Sequence, residues 1–355
     1  MGDNLVAAPA LRCLRQAYPQ ARIVLVSELA PGGKGCWAQQ VFGPSGLVDE
    51  VIPFAAYNAR SRWTQIFATL KLYRTLQTTT WGLGVALDLE DKVNWEPAIL
   101  KIIGAETILT PRFNGTNPRD SDARRLSASH VADKLIDILR PLCLPLPSPG
   151  QGALQVNITT QEVSEVNAWL QRTGAVNAPK PWIAFGPWSN MQAKQWPVGR
   201  FTDLALRLKR MVGGTPFVFG GVQEESKTRD LIQSWGFGVP AAGFLNVRQG
   251  IALLQRCQLY VGNDSGPMHM AASAGIRCVA IFSSRDKPRL WEPYGNGHIV
   301  FRREVACQGC MLHECVSRHN YCINDISVKE AVEACISILD ESDIISVRLN
   351  PKGEN

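Results

Sequence analysis

The sequence predicts an α/β protein made of two doubly wound halves, each built on a parallel sheet. Two observations carry this expectation: short apolar runs alternate with stretches of helical periodicity, and a proline-rich segment separates the two halves. The length of 355 residues also exceeds the usual size of one hydrophobic core. We therefore expect an N-terminal domain over residues 1–150 and a C-terminal domain over residues 160–340.

The first half contains the weaker strand–helix alternation. Short strands are predicted at residues 21–27 and 85–89, where β-branched and other apolar side chains predominate. Apolar residues recur at helical spacing in three stretches, which are residues 5–17, 96–105 and 127–140. The segment 141–152 then has four prolines and two glycines in twelve positions, which indicates a domain boundary at residues 141–160.

The second half repeats the alternation more clearly. Four short apolar runs predict strands at residues 182–187, 217–221, 259–263 and 278–282. Helical patterns lie between or after them, at residues 201–212, 248–257 and 266–275. Doubly wound sheets bind ligands at the carboxyl ends of their strands, so the residues after each strand are candidate site residues.

Composition narrows the classes of function. Lys and Arg number 37 against 31 Asp and Glu, and the resulting net charge of +6 suits an anionic substrate, a phospholipid surface or nucleic acid. No run of five like charges occurs, so we do not expect a nucleic-acid partner. The sequence has no stretch of eighteen apolar residues and no signal-peptide pattern, which predicts a cytoplasmic protein without a membrane-spanning helix.

The segment VGNDSGPMHMAASAG, residues 261–275, is the most informative one. A predicted strand ends, a short turn follows, and a helix begins near Pro267. The amide groups and dipole at that helix start favour an anion, and Gly266 allows close approach of a phosphate. Asp264 and His269 belong to the same turn and helix start. The alternative is a plain strand–turn–helix unit with an Asx turn and an N-cap.

Charged residues follow two other predicted strands. Lys194 is the only basic residue between Pro181 and Arg200, and it is suited either to a diphosphate or to solvent. Glu224 and Glu225 follow a pair of glycines. Their carboxylates are suited either to ribose hydroxyls or to the N-terminus of a helix, where the dipole favours acidic residues.

Asp3 precedes the first predicted helix. Its side chain is suited to capping that helix, and equally to acting as a catalytic base.

Four of the ten cysteines are bunched in a C-x2-C-x4-C-x6-C arrangement. Four thiols at this spacing predict a tetrahedral site for zinc, with iron as a second candidate metal. Free thiols and disulfides are the alternatives, and a cytosolic location disfavours the disulfides. The candidate ligands are Cys307, Cys310, Cys315 and Cys322.

Three blocks of the sequence resemble the heptosyltransferases of glycosyltransferase family 9. GDNLVAAPALRCLRQAYPQARIVLV is similar to the family's opening block, in which a Gly-Asp pair precedes a P-x-L-x-x-L pattern. GPWSNMQAKQWPVGRFTDLALRL is similar to its donor loop, with a lysine shortly before Trp-Pro. The block from VGNDSGPMHM to WEPYG resembles D-[ST]-G-x-x-H-x-A and its P-x-x-W-x-P-x-G continuation.

The resemblance implies a GT-B fold, in which two Rossmann-like domains face each other across a cleft. It implies inverting transfer of heptose or a related sugar, from an ADP-sugar such as ADP-heptose to a lipopolysaccharide-core or related surface-glycan acceptor. No cofactor would be required for catalysis. Asp3 would be the general base, Lys194 would bind the donor phosphates, and Glu224 or Glu225 would hold the ribose. The full set of expected donor ligands is Ser189, Lys194, Glu224, Glu225, Asp264, Ser265, Gly266 and His269.

Some features depart from the family pattern or leave alternatives open. Family members have an apolar strand before the Gly-Asp pair. Either the natural start of this protein lies upstream of Met1, or the N-terminal sheet is short by that strand and Asp3 is poorly fixed. The family's arginine–serine pairing near the acceptor is not found at residues 88–97. The alternative functions are a protein O-heptosyltransferase, a non-catalytic nucleotide-sugar or metal-binding scaffold, and a GT-B-like epimerase.

The resemblance also bears on the membrane and on the cysteines. A lipid-linked acceptor would lie at the inner membrane face, where a basic N-terminal surface could dock peripherally, although an ordinary amphipathic helix explains the same pattern. In relatives that heptosylate autotransporter proteins, similar cysteine clusters hold iron, so a structural zinc or iron would pin a loop beside the donor site. The residues of the candidate docking surface are Arg60, Arg62, Trp63, Phe67, Lys71, Tyr73 and Arg74.

Overall fold

The computed structural model describes residues 2–29, 36–54, 62–87, 95–110 and 130–349. Contacts within the chain divide it into two compact units, residues 3–157 and residues 158–355. The division falls inside the segment 141–160 that is rich in proline and glycine. None of the helices in the described ranges combines the length and the apolar character needed to cross a lipid bilayer.

The first unit contains two separate pairs of parallel strands. Strand β1 (Val24–Glu28) pairs with β2 (Glu50–Phe54), and β3 (Leu83–Val85) pairs with β4 (Thr107–Leu109). The α-helices described in this unit are α1 (Gly2–Leu5), α2 (Ala8–Ala17), α3 (Trp37–Phe42), α4 (Arg62–Leu76), α5 (Trp95–Ile102) and α6 (Val131–Asp137).

Helix α4 has one buried face and one exposed face. Leu72 and Leu76 are four residues apart, so they lie on the same side of the helix, and both pack with Phe54 of β2. On the other side, the apolar side chains of Ile66, Phe67 and Leu70 are 47%, 67% and 46% exposed. The helix is therefore held by its inner leucines while a group of apolar side chains remains in contact with solvent.

The second unit is built on one parallel sheet of six strands in the order β10-β9-β8-β5-β6-β7. These strands are β5 (Trp182–Gly186), β6 (Thr215–Val218), β7 (Val239–Pro240), β8 (Leu259–Asn263), β9 (Cys278–Ile281) and β10 (Ile299–Phe301). The α-helices described here are α7 (Thr160–Arg172), α8 (Val198–Val212), α9 (Glu225–Trp235), α10 (Val247–Leu254), α11 (Gly266–Ser273), α12 (Tyr321–Asn324) and α13 (Val328–Leu349).

Both faces of this sheet are covered, which explains why its strands are apolar throughout. All residues of β5, β8 and β9 are buried. On one face, α8 and α13 pack against the sheet with apolar residues at helical spacing. Residues of this core include Ile183, Phe185, Trp196, Phe201, Leu204, Leu208, Val261, Ile281, Ala331 and Ile338.

A buried ion pair joins α7 to α10. Arg248 on α10 binds the carboxylate of Glu162 on α7, with 2.5 Å between Nε and Oε1. Burial by itself raises the pKa of Glu162, but the hydrogen bonds from Arg248 and from the backbone of Thr159 outweigh burial and lower that pKa. The two helices are thus fixed by charge as well as by packing.

The structure corrects parts of the sequence-based assignment. The helix predicted at residues 5–17 is two helices, and Ala7 rather than Asp3 occupies the N-cap of α2. Strands β2, β4, β7 and β10 were not predicted, and the last three have only two or three residues, too few to show a periodicity. Residues 127–129 of a predicted helix and residues 88–89 of a predicted strand lie outside the described ranges.

Candidate functional site

The candidate site lies at the carboxyl ends of β5, β8 and β9. From β5 the chain continues to β6 and β7 on one side of the sheet, whereas β8, β9 and β10 lie on the other side. The boundary between β5 and β8 is therefore the point where the strand order reverses, which is where doubly wound folds bind ligands. Gly186 and Gly262 lie opposite each other at this boundary.

These two glycines leave room for a buried tyrosine. A Cβ atom on either glycine would overlap the hydroxyl group of Tyr260, and a Cβ on Gly262 would also lie 2.6 Å from the carbonyl oxygen of Gly186. Tyr260 is fully buried, and burial raises the pKa of its phenol far above the ordinary value. A larger residue at position 186 would displace the Tyr260 side chain, and one at position 262 would also press against the backbone of β5 where the site begins.

Asn263, the last residue of β8, holds the loop that follows β5. Its side chain is fully buried and bridges two points of that loop. Oδ1 accepts a hydrogen bond from the Trp196 backbone N–H at 3.0 Å, and Nδ2 donates to the Pro187 carbonyl at 2.8 Å. One amide thus fixes both ends of the segment that contains Lys194.

Lys194 ends a short 3₁₀ turn, Gln192–Lys194, and is held between two buried carboxylates. Its Nζ lies 2.7 Å from Oδ2 of Asp264 and 3.3 Å from Oδ2 of Asp286. The lysine side chain is 13% exposed, and the aspartates are 6% and 4% exposed. Burial raises the pKa of Asp264 and the charge of Asp286 adds to this, whereas Lys194 lowers the pKa of Asp264.

Two arginines complete this buried group of charges. Arg285 donates to Asp286 with 2.7 Å between Nη1 and Oδ2. Arg302 donates from Nη1 to the carbonyl oxygens of Ser283 and Asp286, at 2.8 and 3.1 Å. Burial lowers the pKa of Arg302, and the charges of nearby carboxylates, among them Asp264, raise it.

Sequence reasoning missed Asp286, Arg285 and Arg302. Asp286 and Arg285 follow the predicted strand at residues 278–282, so the rule that led to Lys194 and Asp264 would also have found them.

Comparison with known proteins identifies the family. Residues 147–320 match the sequence profile described as "Glycosyltransferase family 9 (heptosyltransferase)". Residues 147–320 of this chain belong to glycosyltransferase family 9. The lipooligosaccharide heptosyltransferase 2 of Campylobacter jejuni is 26% identical over 169 residues, which are 46% of this chain and 50% of that relative. The chain thus spans half the length of that curated relative. It spans half or less of the length of three other curated heptosyltransferases that it matches.

Solved structures extend the similarity to the whole fold. A glycosyl transferase family 9 protein from Veillonella parvula has a TM-score of 0.75 at 22% identity, covering 96% of this chain and 95% of that one. The Escherichia coli ADP-heptose LPS heptosyltransferase II has a TM-score of 0.67 at 19% identity, covering 96% of each chain. At these identities the similarity shows the fold alone. The GT-B fold and the family predicted from the sequence are both confirmed.

The family 9 motif after β8 forms the start of α11. Ser265 is the N-cap residue, although its hydroxyl donates to the Asn263 carbonyl at 3.3 Å rather than capping the helix. Gly266 is the first residue of α11, and His269 follows one turn later, 4% exposed and edge-on to the ring of Trp291. Ser189 lies beside this turn, with its Oγ 3.5 Å from the Asp264 carbonyl oxygen. The structure thus brings Ser189, Lys194, Asp264 and Ser265 together.

Glu224 and Glu225 make local contacts. Oε2 of Glu224 accepts a hydrogen bond from the Gly221 backbone N–H at 2.8 Å, so this carboxylate caps the short 3₁₀ turn that precedes α9. Glu225 pairs with Arg229 one turn along α9, at 2.8 Å. Both glutamates therefore have the geometry of the alternative prediction, in which they are acidic residues at the start of a helix.

The structure does not form the metal centre expected from the cysteine spacing. In the described part of the family 9 chain, no group of three or more His, Cys, Asp or Glu side chains is arranged to hold a metal ion. Cys322 accepts a hydrogen bond from the Ser284 backbone N–H, and Cys310 is exposed. All four cysteines are free thiols, as are the other six, so the disulfide alternative is not formed either. The four cysteines expected to bind zinc or iron, Cys307, Cys310, Cys315 and Cys322, do not fit such a site.

Asp3 is the remaining site residue predicted from the sequence. Its backbone belongs to α1, and its side chain lies outside the described part of the structure.

We expect Asn263→Ala to destabilise this family 9 protein, because the Trp196 N–H and the Pro187 carbonyl would lose their partner inside the fold. Each buried polar group left unpaired costs about 1–3 kcal/mol. Urea denaturation followed by tryptophan fluorescence measures the loss. The matched control is Asn167→Ala, since Asn167 binds Arg256 at the surface and its loss should change stability by about 0.5 kcal/mol or less. Equal stability of the two variants would contradict the assigned role of Asn263.

Proposed function

We propose that this chain is an inverting glycosyltransferase. It would transfer heptose or a related sugar from an ADP-sugar to a lipopolysaccharide-core or related surface-glycan acceptor. The observation that carries the proposal is Lys194, fixed at the point where the strand order reverses and beside the start of α11. The names of the similar proteins support the proposed sugar and donor. The Campylobacter jejuni protein is named a heptosyltransferase, and the Escherichia coli protein is named an ADP-heptose LPS heptosyltransferase.

The donor diphosphate is proposed to bind Lys194 and the first turn of α11. A lysine ammonium interacts with phosphate as a point charge, and the N-terminal end of a helix favours negative charge. Gly266, at that end, lets the backbone approach a phosphate closely. Glu224 or Glu225 is proposed to hold the ribose, Glu224 beside its contact with the Gly221 backbone N–H and Glu225 beside its pair with Arg229.

Transfer requires a base and a stabilised leaving group. Asp3 is proposed to take the proton of the acceptor hydroxyl, whose oxygen then forms a bond to the anomeric carbon of the donor sugar. The bond from that carbon to the β-phosphate oxygen breaks on the opposite side, so configuration is inverted and ADP leaves. The negative charge that develops on ADP is stabilised by Lys194 and the amides of α11, so no metal ion is needed for this step.

Lys194→Ala should abolish measurable ADP binding at concentrations where the unmodified protein binds. The reason is that it removes the cation from the loop between β5 and α8 and leaves two buried carboxylates to repel the phosphates. Isothermal calorimetry with ADP and ADP-heptose provides the measurement. Lys180→Ala is a matched control, because Lys180 precedes β5 at the opposite end of the strand and binds the Arg256 carbonyl. If the two variants bind ADP equally well, Lys194 is not a donor ligand.

Asp3→Asn should lower the transfer rate by about 10²–10⁴-fold and leave ADP affinity unchanged, because a general base contributes to the chemical step and not to donor binding. Release of ADP in the presence of acceptor, followed over time, measures the rate. Isothermal calorimetry with ADP is the control for donor binding. Normal turnover of this variant would remove Asp3 from the mechanism.

The choice of acceptor separates this proposal from its rivals. Sugar transfer to lipopolysaccharide-core acceptors supports it, and transfer to a protein instead would indicate a protein O-heptosyltransferase. Donor binding without turnover would indicate a scaffold, and isomerisation of the donor an epimerase.

A lipid-linked acceptor would bring the enzyme to a membrane surface, and we propose that α4 contacts that surface. The helix contains no acidic residue, and Lys71 and Arg74 are exposed next to the exposed apolar group Ile66, Phe67 and Leu70. Apolar side chains flanked by cations suit an anionic lipid interface. Of the other candidates in this region, Arg60 lies outside the described residues, as do the side chains of Arg62 and Trp63.

We expect Phe67→Ser combined with Leu70→Ser to reduce sedimentation with phosphatidylglycerol vesicles at least tenfold, and Lys71→Glu with Arg74→Glu to do the same at low salt. The first pair removes apolar area and the second removes attraction to the anionic surface. The control is Met211→Ser with Arg210→Glu on α8, where a methionine and an arginine are similarly exposed. Equal binding of all variants would exclude α4 as the lipid contact.

A further inference from the structure

The segment that follows β9 buries polar residues in an unusual run. Ser283, Ser284, Arg285 and Asp286 are each 5% exposed or less. Charged side chains are buried at this level only when they are paired, so the partners of Arg285 and Asp286 indicate what the segment does.

Asp286 lies between two cations. Oδ2 is 2.7 Å from Nη1 of Arg285 and 3.3 Å from Nζ of Lys194. The same oxygen therefore accepts from the arginine and attracts the lysine, and the position of Arg285 determines where that oxygen lies. Asp264 holds the lysine from a second direction.

Arg285 is in turn fixed by the backbone of a distant segment. Its Nε donates to the Leu312 carbonyl at 2.8 Å, and its Nη2 donates to the Met311 carbonyl at 2.9 Å. The Met311 backbone N–H returns a hydrogen bond to the Arg285 carbonyl at 3.0 Å. All three groups of the guanidinium are thus engaged, one by Asp286 and two by residues 311–312.

Residues just beyond 312 hold the turn that contains Lys194. The Ala193 N–H donates to the His313 carbonyl at 2.9 Å, and the Cys315 N–H donates to Oε1 of Gln192 at 3.2 Å. Residues 311–315 therefore contact the backbone of the lysine turn at one end and the arginine that orients Asp286 at the other. The backbone next to Lys194 and its counter-ion Asp286 are therefore both positioned by residues 311–315, the latter through Arg285.

We propose that Asp286 is a positioning residue for Lys194, and that Arg285, anchored on residues 311–312, acts through Asp286. A lysine has a flexible four-carbon stem, so one carboxylate at Asp264 leaves the ammonium free to move around that contact, whereas two carboxylates fix it. This inference rests on the proposed function in one respect, namely that Lys194 binds the donor diphosphate.

Asp286 acts on donor binding through its charge and on turnover through its positioning of Lys194. Its removal should therefore affect affinity and rate differently, which gives the proposal a distinctive signature. Removing the charge of Asp286 takes a repulsive carboxylate away from the incoming phosphates, so donor affinity should stay the same or increase. The ammonium would no longer be held where charge develops on the leaving ADP, and a misplacement of about 1 Å can cost about 100-fold in rate. Damage to the fold would instead weaken both binding and turnover.

The test compares Asp286→Asn with the unmodified protein. We expect kcat for ADP release from ADP-heptose to fall about 10- to 100-fold, while the Kd for ADP stays within threefold or decreases. Arg285→Lys, a milder variant that keeps the charge and loses the planar grip on the two carbonyls, should lower kcat in the same direction. Since Arg285 acts through Asp286, the double variant should be no slower than Asp286→Asn alone.

Glu162→Gln is the matched control, because it breaks another buried arginine–carboxylate pair of the same unit, the one that joins α7 to α10. It should lower thermal stability without the split between kcat and Kd. The proposal is overturned if Asp286→Asn keeps normal kcat, or if its kcat and ADP affinity fall together. Absence of ADP binding by the unmodified protein would instead refute the proposed function, so the two failures are distinguishable.

Discussion

The pairing of Lys194 with two buried aspartates is the interaction on which the candidate site depends. A lysine that is 13% exposed must keep oppositely charged partners, because an isolated charge in a fold interior is very costly. Asp264 follows β8 and Asp286 follows β9, while Lys194 itself follows β5. The ion pairs therefore require three separate loops to converge at the carboxyl ends of these strands.

The sheet is shaped to allow this convergence. Where β5 and β8 end side by side, both strands have a glycine, since a side chain there would collide with Tyr260. The two backbones can therefore lie close together. Asn263 then spans the gap and binds both ends of the lysine loop. Packing in the sheet thus determines where the loops leave it, and hydrogen bonds determine how the charged residues at their ends meet.

Much of this could be predicted from the sequence, and the limits have physical reasons. Lys194 and Asp264 were found because both follow strands that are apolar enough to recognise, and ligands bind at such ends. The pairing of Asp286 with Lys194 could not be found, since it depends on the spatial order of strands. The strand β7 has two residues and shows no period of its own, although its backbone pairs with β6.

The cysteines show the opposite failure, in which a regular spacing suggested a site that the fold does not build. Spacing gives the length of chain between thiols, but the backbone of this segment is held by other partners. Gly309 and Met311 are hydrogen-bonded to Ser284 and Arg285, which fixes the loop against the end of β9. Cys322 lies on α12 and faces the same serine. The segment is therefore organised around Arg285 rather than around its thiols.

The balance of charge in the site decides what can attract a diphosphate. Lys194, Arg285 and Arg302 bear three positive charges, and Asp264, Asp286 and Glu292 bear three negative ones, with Arg302 and Glu292 3.6 Å apart. These side chains are therefore neutral as a group, which explains how so many charges can be buried together. The remaining field for an anion must then come from the start of α11, whose dipole has no acidic residue in its first turn to offset it. In the proposed donor site, Lys194 would provide a point contact for one phosphate. The start of α11 would provide the net attraction that the charged side chains do not.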